Sequence, residues 1–181
     1  WTTFELVRAP KEKKLPIVLT IDEVRLILSC VKIVRYQVCL SAIYGCGLRL
    51  QEGIHLQVGD IDSQRMVDHV QRGKGSKERM IPLNEACRKA FRAWYAVRPA
   101  CHSNRIFMTQ RGPVTTRAIQ SDLENIDEAA RVENLTPHVA RHTFAKNLVN
   151  AGVSLEKVAM LLGHSSLDTT LVYTTPAMRD L

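Results

Sequence analysis

The sequence lacks several features that assign a protein class directly. It has no apolar run close to the ~20 residues of a membrane-spanning helix, and no signal-peptide pattern, internal repeat or low-complexity tract. It also lacks the Gly-x-x-x-x-Gly-Lys-Ser/Thr pattern of nucleotide-binding loops. From these absences we expect a globular intracellular protein that is neither a helical membrane protein nor a P-loop enzyme.

Paired cysteines are missing as well. The five cysteines are Cys30, Cys39, Cys46, Cys87 and Cys101. Their number is odd, they include no Cys-x-x-Cys pair, and most of them lie in apolar helical patterns. We therefore expect buried free thiols in a reducing compartment. A zinc site that combines cysteine with His138 and His142 is the alternative, although the usual ligand spacing is absent.

Positive charge, by contrast, is abundant. Lysine and arginine outnumber the acidic residues, which gives a formal net charge of +7 and a pI near 9.4. Such a surface attracts polyanions, and nucleic acid is the first such partner to consider. A solvated basic surface without a binding function is the alternative that charge alone leaves open.

The chain divides into a short arm and one predicted domain. Residues 1–18 are charged, bounded by prolines and without periodicity, so we predict a linker or N-terminal arm there. Because the sequence starts with Trp1 rather than methionine, we expect a further domain upstream. Residues 19–181 predict a mainly α domain with a small antiparallel β-sheet or hairpin, an α+β fold. Its helices are predicted to start near Thr20, Val34, Asn84, Thr115, Thr136, Ser154 and Ser165.

Arg49 is the first charged residue that needs an explanation. It follows a predicted helix end at Gly45-Cys-Gly47, where glycines permit a sharp reversal, and apolar residues surround it. A charge in such surroundings needs a partner because desolvation is costly. Glu52, one helical turn further on, makes either an ordinary salt bridge with Arg49 or a carboxylate that orients Arg49 toward a phosphate.

The densest basic cluster lies in a predicted hairpin. Two β-prone runs, residues 65–71 and 79–83, flank Arg72-Gly-Lys-Gly-Ser-Lys77, and Arg79 follows directly. Lys74 lies between two glycines, which let the tip approach another molecule closely. A solvated hairpin tip is the alternative interpretation of Lys74.

The helix predicted from Thr136 carries two further candidates. His138 and Arg141 are one turn apart and are predicted to share a face that Ala145 continues. Phe144 and Leu148 are predicted to turn toward the core instead. This arrangement would present a histidine and an arginine together.

The end of the chain adds a histidine and a phenol. Gly163 ends the preceding predicted helix, so His164 lies just past its C-terminus, and Ser165-x-x-Asp168 opens a short helix that carries Tyr173 about two turns in. A phenol has a pKa of about 10 and is a poor nucleophile at neutral pH. It becomes useful where cations and donors stabilise the charge of a phosphoryl group under attack.

Taken in order, these residues resemble the catalytic domain of tyrosine site-specific recombinases, the phage integrase and Xer-type family. The resemblance covers Leu19 to Thr174. Five motifs carry it: the first arginine box Gly45-Cys-Gly-Leu-Arg-Leu-Gln-Glu52, the hairpin Gly73-Lys-Gly-Ser-Lys-Glu-Arg79, the His138-x-x-Arg141 box, the third-histidine box Leu162-Gly-His-Ser165, and Tyr173 at the nucleophile position.

This resemblance implies the tyrosine recombinase catalytic-domain fold. It also implies an enzyme that cleaves and rejoins DNA strands through a 3′-phosphotyrosyl intermediate, in which one of the two catalytic histidines takes the phenolic proton. The implied roles are nucleophile for Tyr173, phosphate-gripping cations for Arg49 and Arg141, general acid for Lys74, phosphate hydrogen-bonding groups for His138 and His164, and supporting acid for Glu52.

The resemblance further implies double-stranded DNA as partner, with Arg72, Lys77 and Arg79 as DNA-binding residues. It implies no cofactor and no metal, action at the nucleoid in the bacterial cytoplasm as part of a mobile element or related system, and a tetramer of the full-length protein on paired DNA sites. The family's N-terminal DNA-clamping domain is absent from this sequence, and eight residues follow Tyr173. A monomeric fragment is therefore the alternative.

Two other functions stay open at this point. A type IB-like topoisomerase uses the same phosphotyrosine chemistry but relaxes supercoils without exchanging strands between partners. A non-catalytic DNA-binding protein would use Ser154 to Tyr173 as a helix-turn-helix pair with Gly163 at the turn. That second alternative leaves Arg49 and Lys74 without an explanation.

Overall fold

The computed structural model describes residues 17–71, 78–130 and 135–174, with the backbone alone at 127–130. Nearly all of the predicted N-terminal arm therefore lies outside the described residues. So does the basic hairpin tip, with Arg72, Lys74 and Lys77. Arg79, at the base of the hairpin, is described.

The described residues form a mainly helical domain with small antiparallel β-structure, as the sequence predicts, arranged in two sheets. Its helices are α1 (Ile21–Cys30), α2 (Val34–Cys46), α3 (Leu50–His55), α4 (Glu85–Val97), α5 (Thr116–Ala130), α6 (Pro137–Asn150), α7 (Leu155–Leu162) and α8 (Asp168–Leu171). Its strands are β1 (Ile61–Asp62), β2 (Val67–Val70), β3 (Arg79–Pro82), β4 (Met108–Thr109) and β5 (Gly112–Pro113), and a short 3₁₀ turn spans Val58–Asp60.

Local side-chain chemistry sets the helix starts that matter for the site. At α1, the Thr20 hydroxyl accepts from the Glu23 backbone N–H and the Glu23 carboxylate accepts in return from the Thr20 backbone, which is the predicted capping box. At α6, the Thr136 hydroxyl accepts from the backbone of Val139, and Pro137 occupies the first turn. Both starts are confirmed as predicted.

Glycines in the left-handed region end the two helices that precede site residues. Gly47 has φ +62° at the end of α2, and Gly163 has φ +61° at the end of α7. These turns redirect the chain into the next segment, so Arg49 is the N-cap residue of α3 and His164 follows α7.

The β-sheets include strands that the sequence pattern did not predict. The predicted hairpin is present as β2 and β3, paired antiparallel from Val67 opposite Pro82 to Val70 opposite Arg79. The two-residue strand β1 adds to its other edge, so the order is β1-β2-β3, and β4 pairs with β5. Two-residue strands carry no readable alternation, which is why these pairings escaped prediction.

Two hydrophobic clusters hold the domain together. The larger is centred on α2, which packs against α4 and α6. The smaller contains Ala145 from α6, Val158 and Leu162 from α7, and Tyr173. The candidate nucleophile is thus itself part of a core.

The cysteines are free thiols, as expected. Cys39, Cys46 and Cys87 are buried, whereas Cys101 is exposed. Across the described ranges, no group of three or more histidine, cysteine or acidic side chains is placed to hold a metal ion, so the zinc alternative gains no support. No helix in that same part of the chain combines the length and the apolar character needed to cross a membrane.

We predict that Gly47→Ala destabilises the domain by more than the about 1–2 kcal/mol of a left-handed non-glycine residue. A Cβ at position 47 would also collide with the Phe144 ring. Gly152→Ala is the matched control, because Gly152 has φ +81° with open space around its Cβ position. Urea denaturation of both variants measures the free energies of unfolding. Equal losses would contradict the close packing at Gly47.

Candidate active site

Arg49 and Glu52 form the ion pair that the sequence suggested. The Glu52 carboxylate accepts from the Arg49 backbone N–H at 2.7 Å and from Arg49 Nη1 at 2.8 Å. Arg49 Nη2 also donates to the Gly163 carbonyl at 2.9 Å. The start of α3 is therefore tied to the end of α7, directly before His164.

Arg79 reaches the same carboxylate from the sheet. Its Nη1 and Nη2 donate to the two Glu52 oxygens at 2.9 and 2.7 Å, and its Nε donates to the Leu161 carbonyl at 2.7 Å. The Arg79 side chain is 7% exposed. We expected Arg79 beside the basic tip as a DNA-binding residue. The structure instead places its guanidinium in a buried bidentate pair, which favours a structural part over direct contact with DNA.

Arg141 is fixed by backbone carbonyls. It is 5% exposed, and its guanidinium donates to the carbonyls of Gly47 and Leu162. Burial, and then the nearby charge of Arg49, lower the pKa of Arg141 to about 10. It is therefore still a cation at neutral pH, and its orientation is set by the two helix ends that it bridges.

Glu52 is the carboxylate that these arginines share. Its Oε2 also lies 3.8 Å from Arg141 Nη1. Burial opposes its ionisation, but the hydrogen bonds from Arg79 and Arg49 outweigh burial and lower the pKa of Glu52 to about 2. Three cations around one anion leave an excess of positive charge, which suits the binding of a phosphate.

His164 is a neutral imidazole in this setting. Burial, followed by the charges of Arg141 and Arg49, lowers the pKa of His164 to about 4. Its Nδ1 lies 2.9 Å from the hydroxyl of the buried Thr170, which fixes the orientation of the ring. Among the described residues, no hydrogen bond is made by its other ring nitrogen, Nε2, which can therefore serve a ligand.

Tyr173 lies just beyond α8 rather than within it. We expected it about two turns into the last helix, but α8 ends at Leu171 and Tyr173 follows in a turn. The helix also begins later than predicted, at Asp168 rather than near Ser165, and its N-cap position, Leu167, has no side-chain capping bond. Tyr173 is 2% exposed, and burial raises the pKa of its phenol against the opposing charge of Arg141.

The Tyr173 side chain lies between two histidine rings. Its centroid is 6.4 Å from that of His164, nearly parallel, and 5.4 Å from that of His142. Its hydroxyl is 2.7 Å from His142 Nδ1, and its backbone carbonyl accepts from Lys146 Nζ at 3.2 Å. Two side chains of α6 therefore hold Tyr173: His142 contacts its hydroxyl and Lys146 contacts its backbone carbonyl.

Phe144 and Leu148 of α6 pack against the smaller hydrophobic cluster, as predicted, but the other predicted face of the helix is divided between core and surface. His138 is exposed, whereas Arg141 and Ala145 are buried and Phe144 and Leu148 are partly buried. Because α6 packs against both α2 and α7, the Arg141–Ala145 side turns inward. His138, three residues before Arg141, lies on the rim of the site.

The structure thus brings together Arg49, Arg141, His164 and Tyr173, with His138 at the rim, while Lys74 lies outside the described residues. Sequence reasoning did not assign His142 or Lys146 to this site. A usable signal existed: the two follow His138 at intervals of four residues, so they continue its side of the helix.

A buried phenol beside fixed arginines and a neutral histidine, on this helical fold with small antiparallel sheets, defines a tyrosine recombinase catalytic domain. The chain belongs to the phage integrase family, whose profile matches residues 18–179.

Named relatives agree with this assignment. The chain is 37% identical to the integrase/recombinase y4qK of Sinorhizobium fredii over 96% of the chain and 57% of the relative. It is also 37% identical to the tyrosine recombinase XerC of Chlorobaculum parvum over 77% of the chain and 45% of the relative. The chain thus spans about half the length of these relatives.

Solved structures share the fold. The crystal structure of XerA recombinase matches with a TM-score of 0.83 and 27% identity over 93% of this chain and 63% of that one. XerH site-specific recombinase, bound to its difH substrate in a pre-cleavage complex, matches with a TM-score of 0.76 and 27% identity over 92% of this chain and 52% of that one.

We predict that Glu52→Gln lowers the free energy of unfolding by about 3 kcal/mol or more at neutral pH, because the buried arginines lose their anion. Glu52 has a lowered pKa in the folded state, so its stabilising effect is full above its ordinary value of 4.5 and is lost as the pH falls toward about 2. The difference between wild type and variant should therefore narrow across that window.

Denaturation at several pH values measures this difference. Glu85→Gln is the matched control, since Glu85 makes an exposed pair with Arg88, and it should leave stability nearly unchanged. A Glu52→Gln variant as stable as wild type at neutral pH would contradict the central role of this carboxylate.

Proposed function

We propose that this chain is the catalytic part of a site-specific DNA recombinase, an integrase that cleaves and rejoins DNA strands through a 3′-phosphotyrosyl intermediate. One observation carries the proposal: the Tyr173 phenol lies near the buried cation Arg141 and the neutral ring of His164. Family membership and the DNA-bound XerH relative support DNA as the substrate. We assign the catalytic domain to residues 19–181.

In the proposed reaction the Tyr173 oxygen attacks a backbone phosphodiester and releases a 5′-hydroxyl. Arg49 and Arg141 bind the non-bridging oxygens, where negative charge is concentrated as phosphorus becomes five-coordinate. Carbonyls and Glu52 fix both guanidinium groups before substrate arrives. This preorganisation matters because donors that need no reorientation stabilise the transition state most strongly.

The remaining roles follow from the same scheme. Lys74 protonates the leaving 5′ oxygen, and His138 and His164 hydrogen-bond the phosphate. Arg72 and Lys77 contact the DNA backbone, which would make binding strongly salt-dependent. The reaction uses no cofactor, because the cations supply the charge that a metal ion would supply elsewhere. A second strand's 5′-hydroxyl reverses the attack.

We further propose that the full-length protein works as a tetramer on paired DNA sites at the nucleoid of the bacterial cytoplasm. Because Tyr173 is 2% exposed, binding of DNA must uncover its hydroxyl for the scissile phosphate to reach it. The helix-turn-helix alternative loses support, since α8 has four residues and is too short to lie along a major groove as a recognition helix.

We predict that the protein forms an SDS-resistant adduct with nicked suicide duplexes and that Tyr173→Phe forms none, because the phenol oxygen is the nucleophile. Tyr95→Phe is the matched control, since Tyr95 is exposed on α4, and it should form adduct at the wild-type rate. Denaturing electrophoresis measures the adduct.

Adduct formed equally by wild type and Tyr173→Phe would overturn the proposal. Two differently marked duplexes in the same experiment separate a recombinase from a topoisomerase. Strand transfer between them supports the recombinase, whereas relaxation of supercoils without any recombinant product supports the topoisomerase.

We predict that Lys74→Ala slows cleavage by about 100-fold or more when the leaving group is an ordinary 5′ oxygen, because a general acid is lost. A 5′-thio leaving group needs little protonation, so the same variant should be slowed far less on that substrate. Single-turnover rates on both substrates provide the comparison. Equal slowing would remove Lys74 from the general-acid role.

A further inference from the structure

The Tyr173 phenol must lose a proton during the proposed attack. Burial raises its pKa, so the hydroxyl is protonated at neutral pH and needs an acceptor close by. The arginines of the site are cations and cannot accept. Among the described residues, the groups around the phenol that can accept a proton are the histidines.

The three histidines differ sharply in their geometry. His142 Nδ1 is 2.7 Å from the Tyr173 hydroxyl. The His164 ring is nearly parallel to the Tyr173 ring at a centroid distance of 6.4 Å, and its Nδ1 is engaged by Thr170. His138 is exposed at the rim. Within the described residues, only His142 hydrogen-bonds the phenolic oxygen.

We infer that His142 is the general base of the reaction and accepts the Tyr173 proton at Nδ1, while Lys146 anchors the Tyr173 backbone. The inference rests on the proposed function. It adds a catalytic residue outside the motif positions that carry the family resemblance.

The Tyr173 O–H bond breaks and its proton passes to His142 Nδ1 as the phenolic oxygen bonds to phosphorus. The bond from phosphorus to the 5′ oxygen breaks, and that oxygen takes a proton from the general acid, proposed to be Lys74. During rejoining the imidazolium returns its proton to the departing phenolic oxygen.

The surroundings of His142 keep its imidazole neutral, so that the ring can accept a proton. Burial, followed by the charges of His138 and Arg141, lowers its pKa below the ordinary value of 6.5. The groups that face it are His138 and Arg141 on α6, and His164 and Tyr173 from the segment after α7. At neutral pH the ring is therefore neutral, and with its proton on Nε2 it accepts at Nδ1.

Lys146 contributes position rather than proton transfer. It lies one helical turn after His142, is buried, and donates from Nζ to the Tyr173 carbonyl at 3.2 Å. With the backbone held there and the hydroxyl held at His142, the phenol is aligned with its base before DNA arrives. Such alignment is what makes a general base efficient.

The first test uses His142→Gln, which keeps a hydrogen-bond acceptor but cannot take up a proton. Single-turnover cleavage of a suicide duplex should be slower by about 100-fold or more, while the DNA dissociation constant stays within about twofold of wild type. His102→Gln, on an exposed loop, is the matched control and should cleave normally.

These outcomes separate the two proposals. Failure of wild type and His102→Gln to form any adduct overturns the proposed function itself. Normal cleavage by His142→Gln, with wild type active, overturns only the inference about His142.

A second test separates catalysis from a purely structural effect. Tyr173 is replaced by a ring-fluorinated tyrosine, whose phenol is more acidic and depends less on a base. The slowing caused by His142→Gln should then shrink, whereas the slowing caused by His164→Gln should not. If His142→Gln slows cleavage by the same factor in the fluorinated protein as in the ordinary protein, the general-base role is overturned.

Discussion

A single buried carboxylate holds the candidate active site together. Glu52 accepts hydrogen bonds from Arg49 and Arg79 and lies beside Arg141. These contacts connect the start of α3, the strand β3 and the start of α6. Guanidinium groups this close repel one another, and the shared anion offsets that repulsion. Without Glu52, three neighbouring guanidinium groups, two of them buried, would lack their shared counter-charge, which is strongly unfavourable.

The candidate nucleophile, Tyr173, is buried and hydrogen-bonded in the absence of DNA. Tyr173 is part of the small hydrophobic cluster with Ala145, Val158 and Leu162, so its ring contributes to stability as well as to chemistry. Its hydroxyl is nevertheless satisfied by His142, which avoids the cost of a buried unpaired polar group.

Much of the fold could be predicted because its signals are local. The capping box of Thr20 and Glu23, the start of α6 at Thr136, and the helix ends at Gly47 and Gly163 each depend on neighbouring residues. The strands β1, β4 and β5 have two residues each, too few for a pattern. Their pairing depends on partners that the tertiary structure supplies.

In the candidate site, too, the local contacts could be predicted from the sequence and the long-range contacts could not. The sequence suggested the pair of Arg49 and Glu52, which lie three residues apart. It could not show that Arg79, 27 residues from Glu52, turns inward onto the same carboxylate, or that His142 meets Tyr173 across 31 residues. Helical spacing also could not decide that Arg141 is buried while His138 is exposed, because the packing of α2 and α7 on α6 decides it.

We propose that Tyr173 becomes covalently linked to DNA, and this link can be observed directly. Trapped adduct can be digested with nuclease and trypsin and analysed by tandem mass spectrometry. The sequence places Tyr173 in the tryptic peptide 158–179, where it is the sole tyrosine. We expect this peptide to carry a nucleotide attached to Tyr173 through a phosphodiester. A nucleotide on any other residue, or this peptide recovered without one from a confirmed adduct, would contradict it.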